Sequence, residues 1–214
     1  MIRTFSLRRA PNKRSGTTRK LIATVAILGA AASIAGFGTY ASWTSTTSQS
    51  HTISTGTVTI ALGATGAATN RLNIGASALA PGDTIQRSVD LTNSGSLDLA
   101  SVTLTTTASP SSLLDTDTTN GLQMVIDKCS VAWTESGPPY TYTCSGSTTS
   151  VVASRAVIGS NIALGGSLAA LTAGGTDHLR VTLTLPSGAG NTLQNQSSTI
   201  SYAFTGTQRA ATNK

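Results

Sequence analysis

The chain has 214 residues, of which 10% are charged and 4% aromatic, and its 14 Lys and Arg against 8 Asp and Glu give a formal net charge of +6. Such a balance ordinarily points to nucleic acid or an anionic membrane. Seven of the basic residues (Arg3, Arg8, Arg9, Lys13, Arg14, Arg19 and Lys20) lie in the first 20, however, and no acidic residue precedes Asp83. From residue 42 onward seven basic residues stand against eight acidic ones, a net −1. The positive charge belongs to the leader, and no nucleic-acid partner is expected.

Beyond residue 41 about a third of the residues are Ser or Thr, far above ordinary usage. Low charge and many β-branched side chains disfavour a helical bundle and favour strands. They also argue against a highly charged disordered chain. The body is long enough for one β-sandwich with its own core.

Residues 1–20 form a basic n-region, and residues 21–41, LIATVAILGAAASIAGFGTYA, carry no charge. A positive start, an apolar core and a small-residue exit make a secretory signal peptide, expected to be helical. Thr39-Tyr40-Ala41 supplies the exit, with cleavage between Ala41 and Ser42. The competing reading is a retained anchor, because about 20 apolar residues span a bilayer. Much of the segment is Ala and Gly, which drive insertion weakly. Membrane contact is therefore expected only through the uncleaved leader. Arg8-Arg9 is a weak twin-arginine signal, since Pro-Asn-Lys-Arg follows and the apolar core is distant.

Residues 42–55 read as an extended polar arm with Trp43 and Ile53 as its only large apolar side chains. Thr57–Leu62 alternates as a strand. Leu72 and Ile74 mark a short strand, and Pro81-Gly82 fits the centre of a type II turn. From Thr84 onward, Ile85, Val89 and Leu91 share one face, and Arg87 breaks it near an edge. Asn93-Ser94-Gly95-Ser96 turns the chain. Leu97 and Leu99 then have the opposite parity to Val102 and Leu104, which a bulge near Ala100-Ser101 reconciles, because one extra residue flips the faces.

Leu122, Met124 and Ile126 alternate toward Cys129. Gly137-Pro138-Pro139 turns the chain, and Tyr140, Tyr142 and Cys144 return. Cys129 and Cys144, an even count in an exported chain, read as a disulfide. Two buried thiols or a metal pair are the alternatives, but zinc normally needs four ligands and only His51 and His178 are available to help. Residues 150–174 are ambiguous, with Val151–Ile158 either strand or helical turn. Leu179, Val181, Leu183 and Leu185 alternate up to Pro186, and Ile200, Tyr202 and Phe204 form the last strong strand. The sum is an all-β, antiparallel sandwich behind a leader helix. Its expected parts are a signal peptide (1–41), an arm (42–55), one sandwich domain (56–208) and a polar tail (209–214).

Catalytic reagents are sparse. There is no His-Glu-x-x-His pair. Gly165-Gly166-Ser167-Leu168-Ala169 misses a nucleophile elbow at Ala169 and reads as a glycine-rich loop. Asp115-Thr116-Asp117 with Asn120-Gly121 fails the EF-hand register, since Ile126 stands where the closing Glu belongs. Asp side chains bonding their own backbone is the better reading. Leu185-Pro186-Ser187-Gly188 lacks the ending of a sortase signal. No catalytic residue, metal site or cofactor is expected.

Several ordered segments resemble the TasA/camelysin-like exported proteins, whose leaders are cut by a SipW-type signal peptidase. They are Gly38-Thr39-Tyr40-Ala41-Ser42-Trp43-Thr44, Ser54-Thr55-Gly56-Thr57-Val58, Leu79-Ala80-Pro81-Gly82-Asp83, Leu91-Thr92-Asn93-Ser94-Gly95-Ser96-Leu97 and Ile200–Gln208. The stretch 105–175 and the Cys pair lie outside the pattern. The resemblance implies a jelly-roll sandwich on a bacterial surface or in a biofilm matrix, often built into fibres through an N-terminal donor strand. By strand addition, 42–55 is the candidate donor, with Trp43 and Ile53 as its anchors, and head-to-tail addition gives filaments. A flexible arm, or pairing within the subunit, is the plainer reading of that segment. The functional expectation is an exported, non-enzymatic structural protein that self-associates. A camelysin-like surface metallopeptidase and an adhesion or carbohydrate-binding module using Trp133, Tyr140 and Tyr142 are the rivals. Packing around the disulfide is the bland reading of those aromatics.

Overall fold

The alternating pattern becomes ten antiparallel strands in the computed structural model, which describes residues 55–212. They are β1 (Ile60–Leu62), β2 (Thr84–Asn93), β3 (Leu99–Ala108), β4 (Gln123–Cys129), β5 (Thr134–Ser136), β6 (Thr141–Thr143), β7 (Thr148–Ala156), β8 (Gly159–Ala163), β9 (Thr176–Thr184) and β10 (Ile200–Gln208). A single helical turn, α1 (Leu113–Thr116), joins β3 to β4. One sheet has the order β1-β2-β9-β4-β7, a second β10-β3-β8, and β5 and β6 form a separate hairpin. Consecutive strands cross between the two sheets from β2 to β4 and again from β7 to β10, the jelly-roll-like path expected of the chain. The leader helix, the cleavage point Ala41–Ser42 and the anchors Trp43 and Ile53 lie outside the described residues.

The core lies between the sheets. Val89, Leu91, Leu104, Met124, Ile126 and Leu179 are each 0% exposed. Burying one such side chain is worth about 1.5–3 kcal/mol relative to leaving it in water. In β9 the pattern is strict: Asp177, Leu179, Val181 and Leu183 are buried, and the residues between them are half-buried. Gly206 of β10 shows how closely β1 approaches the opposite sheet, because a Cβ there would lie 2.5 Å from Ile60 Cδ1.

The expected bulge is present. Thr207 pairs with Ser101 and Gln208 with Leu99, so Ala100 is the extra residue. Leu99 and Val102 are both buried, with two exposed residues between them. The turn at Pro81-Gly82 also forms, with Gly82 at φ +97 and Asp83 N donating to Ala80 O at 3.0 Å.

Two expectations are corrected, and a third that the sequence left open is resolved. Leu72–Ile74 is a turn: Ile74 N donates to Arg71 O at 3.0 Å, and only Asn70 makes an isolated bridge, to Val89. Two apolar residues at period 2 are too few to outcompete a local turn. The first strand is shorter than Thr57–Leu62, because the carbonyls of Thr57 and Thr59 accept from the 95–97 turn instead of from a strand. The ambiguous stretch from residue 150 resolves into most of β7, then β8, then a 3-10 turn at Ala169–Leu171.

Candidate functional site

A sheet edge is a row of unpaired N–H and C=O groups, and proteins guard edges with bulges, charges or shortness. In the two larger sheets of the described residues, β1, β7, β8 and β10 each have one strand neighbour. β1 has three residues. β7 carries Arg155 and two register breaks against β4. β8 has five residues, a register break against β3 and Asn161 at φ 51. β10 differs from all three. From Ile200 to Thr207 its register with β3 is continuous, and the nine-residue strand has neither charge nor proline. Its inward residues Ile200, Tyr202 and Phe204 pack on the core yet are only half-buried. Burial of the Tyr202 hydroxyl pushes its pKa up to about 12, so it stays protonated. β10 is therefore the unguarded edge, with apolar surface beside it.

The segment 130–147 lies over the outer, polar face of the five-stranded sheet. Cys129, at the end of β4, is bonded to Cys144 with a Cα–Cα distance of 5.7 Å, so the expected disulfide is formed. Trp133 Nε1 donates to His178 O at 2.9 Å, and the Arg180 guanidinium lies 4.4 Å from the Trp133 ring centroid. Arg180 also pairs with Asp127 at 2.9 Å. Tyr142 is buried, and its hydroxyl donates to Glu135 at 2.9 Å. Arg71 reaches Glu135 at 2.6 Å. The Arg71 hydrogen bond holds the Glu135 carboxyl below the ordinary range, outweighing burial, with Tyr142 and the charge of Arg87 adding to it. Trp133 and Tyr142 thus pack the hairpin onto the sheet. Tyr140 remains half-exposed.

The Asp115 cluster is a backbone device. Ser112 caps α1, and Asp115 accepts from Ser112 N at 2.7 Å, Ser111 Oγ at 2.6 Å and Ser198 Oγ at 2.5 Å. Asp117 accepts from Thr119 N and Asn120 N. Burial alone would push Asp115 up, but the hydrogen bonds from Ser111, Ser198 and Ser112 outweigh it and hold its pKa below the ordinary value. A carboxyl lowered on folding stabilises above its unfolded pKa, and that contribution is lost as pH falls through the folded one. The contacts of α1 with Ser198 are expected to loosen below about pH 4, read by hydrogen exchange at 112–116. Asp115→Asn should abolish that pH dependence. An unchanged profile would exclude Asp115 as its origin.

The residues described do not assemble a metal ligand set. His178 Nδ1 lies 2.8 Å from Asp90 Oδ1, on the outer face of the sheet. Asp177, next in sequence, points to the inner face, because side chains alternate along a strand. There it accepts from Ala169 N at 3.0 Å, Ala170 N at 2.8 Å and Lys128 Nζ at 3.3 Å. Both cysteines are consumed in the disulfide. Among the described residues no three His, Cys, Asp or Glu side chains converge, and His51 lies outside them. Ser167, at φ 53, accepts from Lys128 Nζ at 2.7 Å through its backbone carbonyl. No helix among these residues is long and apolar enough to cross a membrane.

Against known families, the model described as camelysin metallo-endopeptidase matches residues 17–213. No curated protein matches the chain.

Proposed function

The chain belongs to the camelysin metallo-endopeptidase family, and from that premise we propose that it is an exported, non-enzymatic structural protein of the bacterial surface or matrix, polymerising by β-strand addition. The observation that carries this reading is the β10 edge, which is long, uncharged, regular in register and flanked by half-buried Ile200, Tyr202 and Phe204. A strand laid along it satisfies the outward backbone groups and covers the apolar side chains. The donor is residues 42–55 of another copy, with Trp43 and Ile53 as anchors, freed when a SipW-type peptidase cuts at Ala41–Ser42. A donor at one end of the chain and an acceptor on the body make a heterologous contact that does not close, so the product is a filament. The net −1 of the exported part opposes such assembly only weakly.

Negative-stain electron microscopy of the cleaved protein is expected to show filaments. Deleting 42–55 should abolish them. Lysines at two exposed β10 positions, Ala203→Lys with Thr205→Lys, should do the same at an unchanged Tm, since edge charges block strand addition. A persistent monomer at high concentration would overturn the reading. The family description favours one rival, endopeptidase activity, which chelator-sensitive casein cleavage by the purified protein would establish in its place.

A further inference from the structure

A cleft of about 260 Å3 opens between the tip of the β5–β6 hairpin and the start of β2, walled by Ile74, Ile85, Pro138, Pro139 and Tyr140, with Arg87 in its lining. Among the described residues Arg87 forms no ion pair, although its charge reaches Glu135. Its Nε donates to Ile74 O at 2.7 Å, Nη1 to Gln86 O at 2.7 Å and Nη2 to Gly75 O at 2.8 Å, all of them backbone carbonyls. Each ion pair among the described residues uses another base: Arg71, Lys128, His178 or Arg180. Residues 1–54 and 213–214 contain no Asp or Glu side chain. A guanidinium has five N–H donors, so Arg87 keeps one on each Nη, spaced to take a carboxylate as a fork.

The cluster around it is net positive. Arg71 and Arg87 lie 4.8 and 5.4 Å from the Tyr140 ring centroid, and Glu135, bonded to Arg71 at 2.6 Å, is the only acid in the cluster. The cleft is smaller than drug-sized pockets, which run about 300–1,000 Å3, and suits one small ring. Its wall is mainly apolar, and Thr84 and Gln86 also line it. A sugar ring has an apolar face and a hydroxyl rim, so a uronic acid fits all three features at once. A flexible acidic peptide side chain would meet the cation and leave the proline wall wet.

We propose that this cleft binds a uronic acid residue of an acidic polysaccharide, its carboxylate on Arg87 and its ring against Pro138, Pro139 and Ile85. The inference rests on the exported-surface reading for its biological setting, but not on fibre formation. Binding is therefore measured on the monomeric fraction of the purified protein at low salt, by calorimetry.

Polygalacturonate is expected to bind, more weakly as salt rises, and dextran is not. Arg87→Gln should weaken binding at least ten-fold. Because that change also removes contacts to Ile74 and Gly75, Ala76→Asp provides a second arm. It places a negative charge in the cleft lining without touching those bonds, and should weaken binding by a similar factor at an unchanged Tm. Equal affinity in the wild type and Ala76→Asp overturns the proposal. So does absence of polygalacturonate binding, or equally tight binding of poly-L-glutamate. None of these results depends on whether filaments form.

Discussion

Replacing Asp177 with Ala is expected to destabilise the fold by about 3–5 kcal/mol, the cost of removing one partner from a buried charged pair. For a domain of this size that lowers Tm by roughly 10 °C. The Asp177 side chain is 2% exposed and that of Lys128 17%, at 3.3 Å. Asp177 also holds the N–H groups of Ala169 and Ala170, which start the 3-10 turn beneath the sheet. Its loss leaves two backbone donors without a partner and Lys128 without its carboxylate, holding only the Ser167 carbonyl. Lys128→Met should cost less, about 1–2 kcal/mol, because it removes the ammonium's bonds to Asp177 and to the Ser167 carbonyl but leaves Asp177 with both backbone donors. Chemical denaturation of the two single variants and the double variant measures the coupling. A cost below 1 kcal/mol for Asp177→Ala would refute the buried-pair account.

Removing the disulfide as the pair Cys129→Ser and Cys144→Ser is expected to cost about 3 kcal/mol, the chain-entropy value for a loop of this length. The closed loop spans 15 positions. Its hairpin covers one face of the five-stranded sheet and contributes little to the core between the sheets, where Tyr142 has no place in the main cluster. The loss should therefore be local first. Amides of 130–147 should exchange faster, and Trp133 fluorescence should shift as Arg180 and the His178 carbonyl release it, before the core strands open. Simultaneous exchange of core and hairpin would show that the hairpin is integral to the sandwich.

Much of the fold could be read from period and parity. The bulge at Ala100 followed from two apolar pairs of opposite phase, since both must reach one core. The turn at Pro81-Gly82 followed from backbone chemistry that only those residues supply. Arg87 stood out as a charge on an apolar face. Its explanation is visible only in the fold, where the side chain reaches around the open end of β2 to the carbonyls of Ile74 and Gly75. The misread segment and the one left open both have little periodic content. Leu72 and Ile74 satisfy a strand pattern of two residues, and a local turn claimed the backbone. Val151–Ile158 mixes Ala, Ser and Arg among its valines, so strand and helix score alike until β4 supplies a partner.

The candidate surfaces divide in the same way. The Cys pairing and the backbone role of Asp115 and Asp117 were local enough to read from spacing. The Lys128–Asp177 pair joins residues 49 positions apart, and no pattern in either neighbourhood announces it.

The sequence alone determined the class of this protein: a basic N-terminal stretch, a near-neutral Ser/Thr-rich body, antiparallel strands and a stapled hairpin. Alternation and turn chemistry are local, and local chemistry is written in order along the chain. Tertiary structure decided which of those strands lies at an edge, which edges are guarded, and which cations pair with an acid. Those properties depend on which strands become neighbours, and neighbours are chosen by the packing of the whole core.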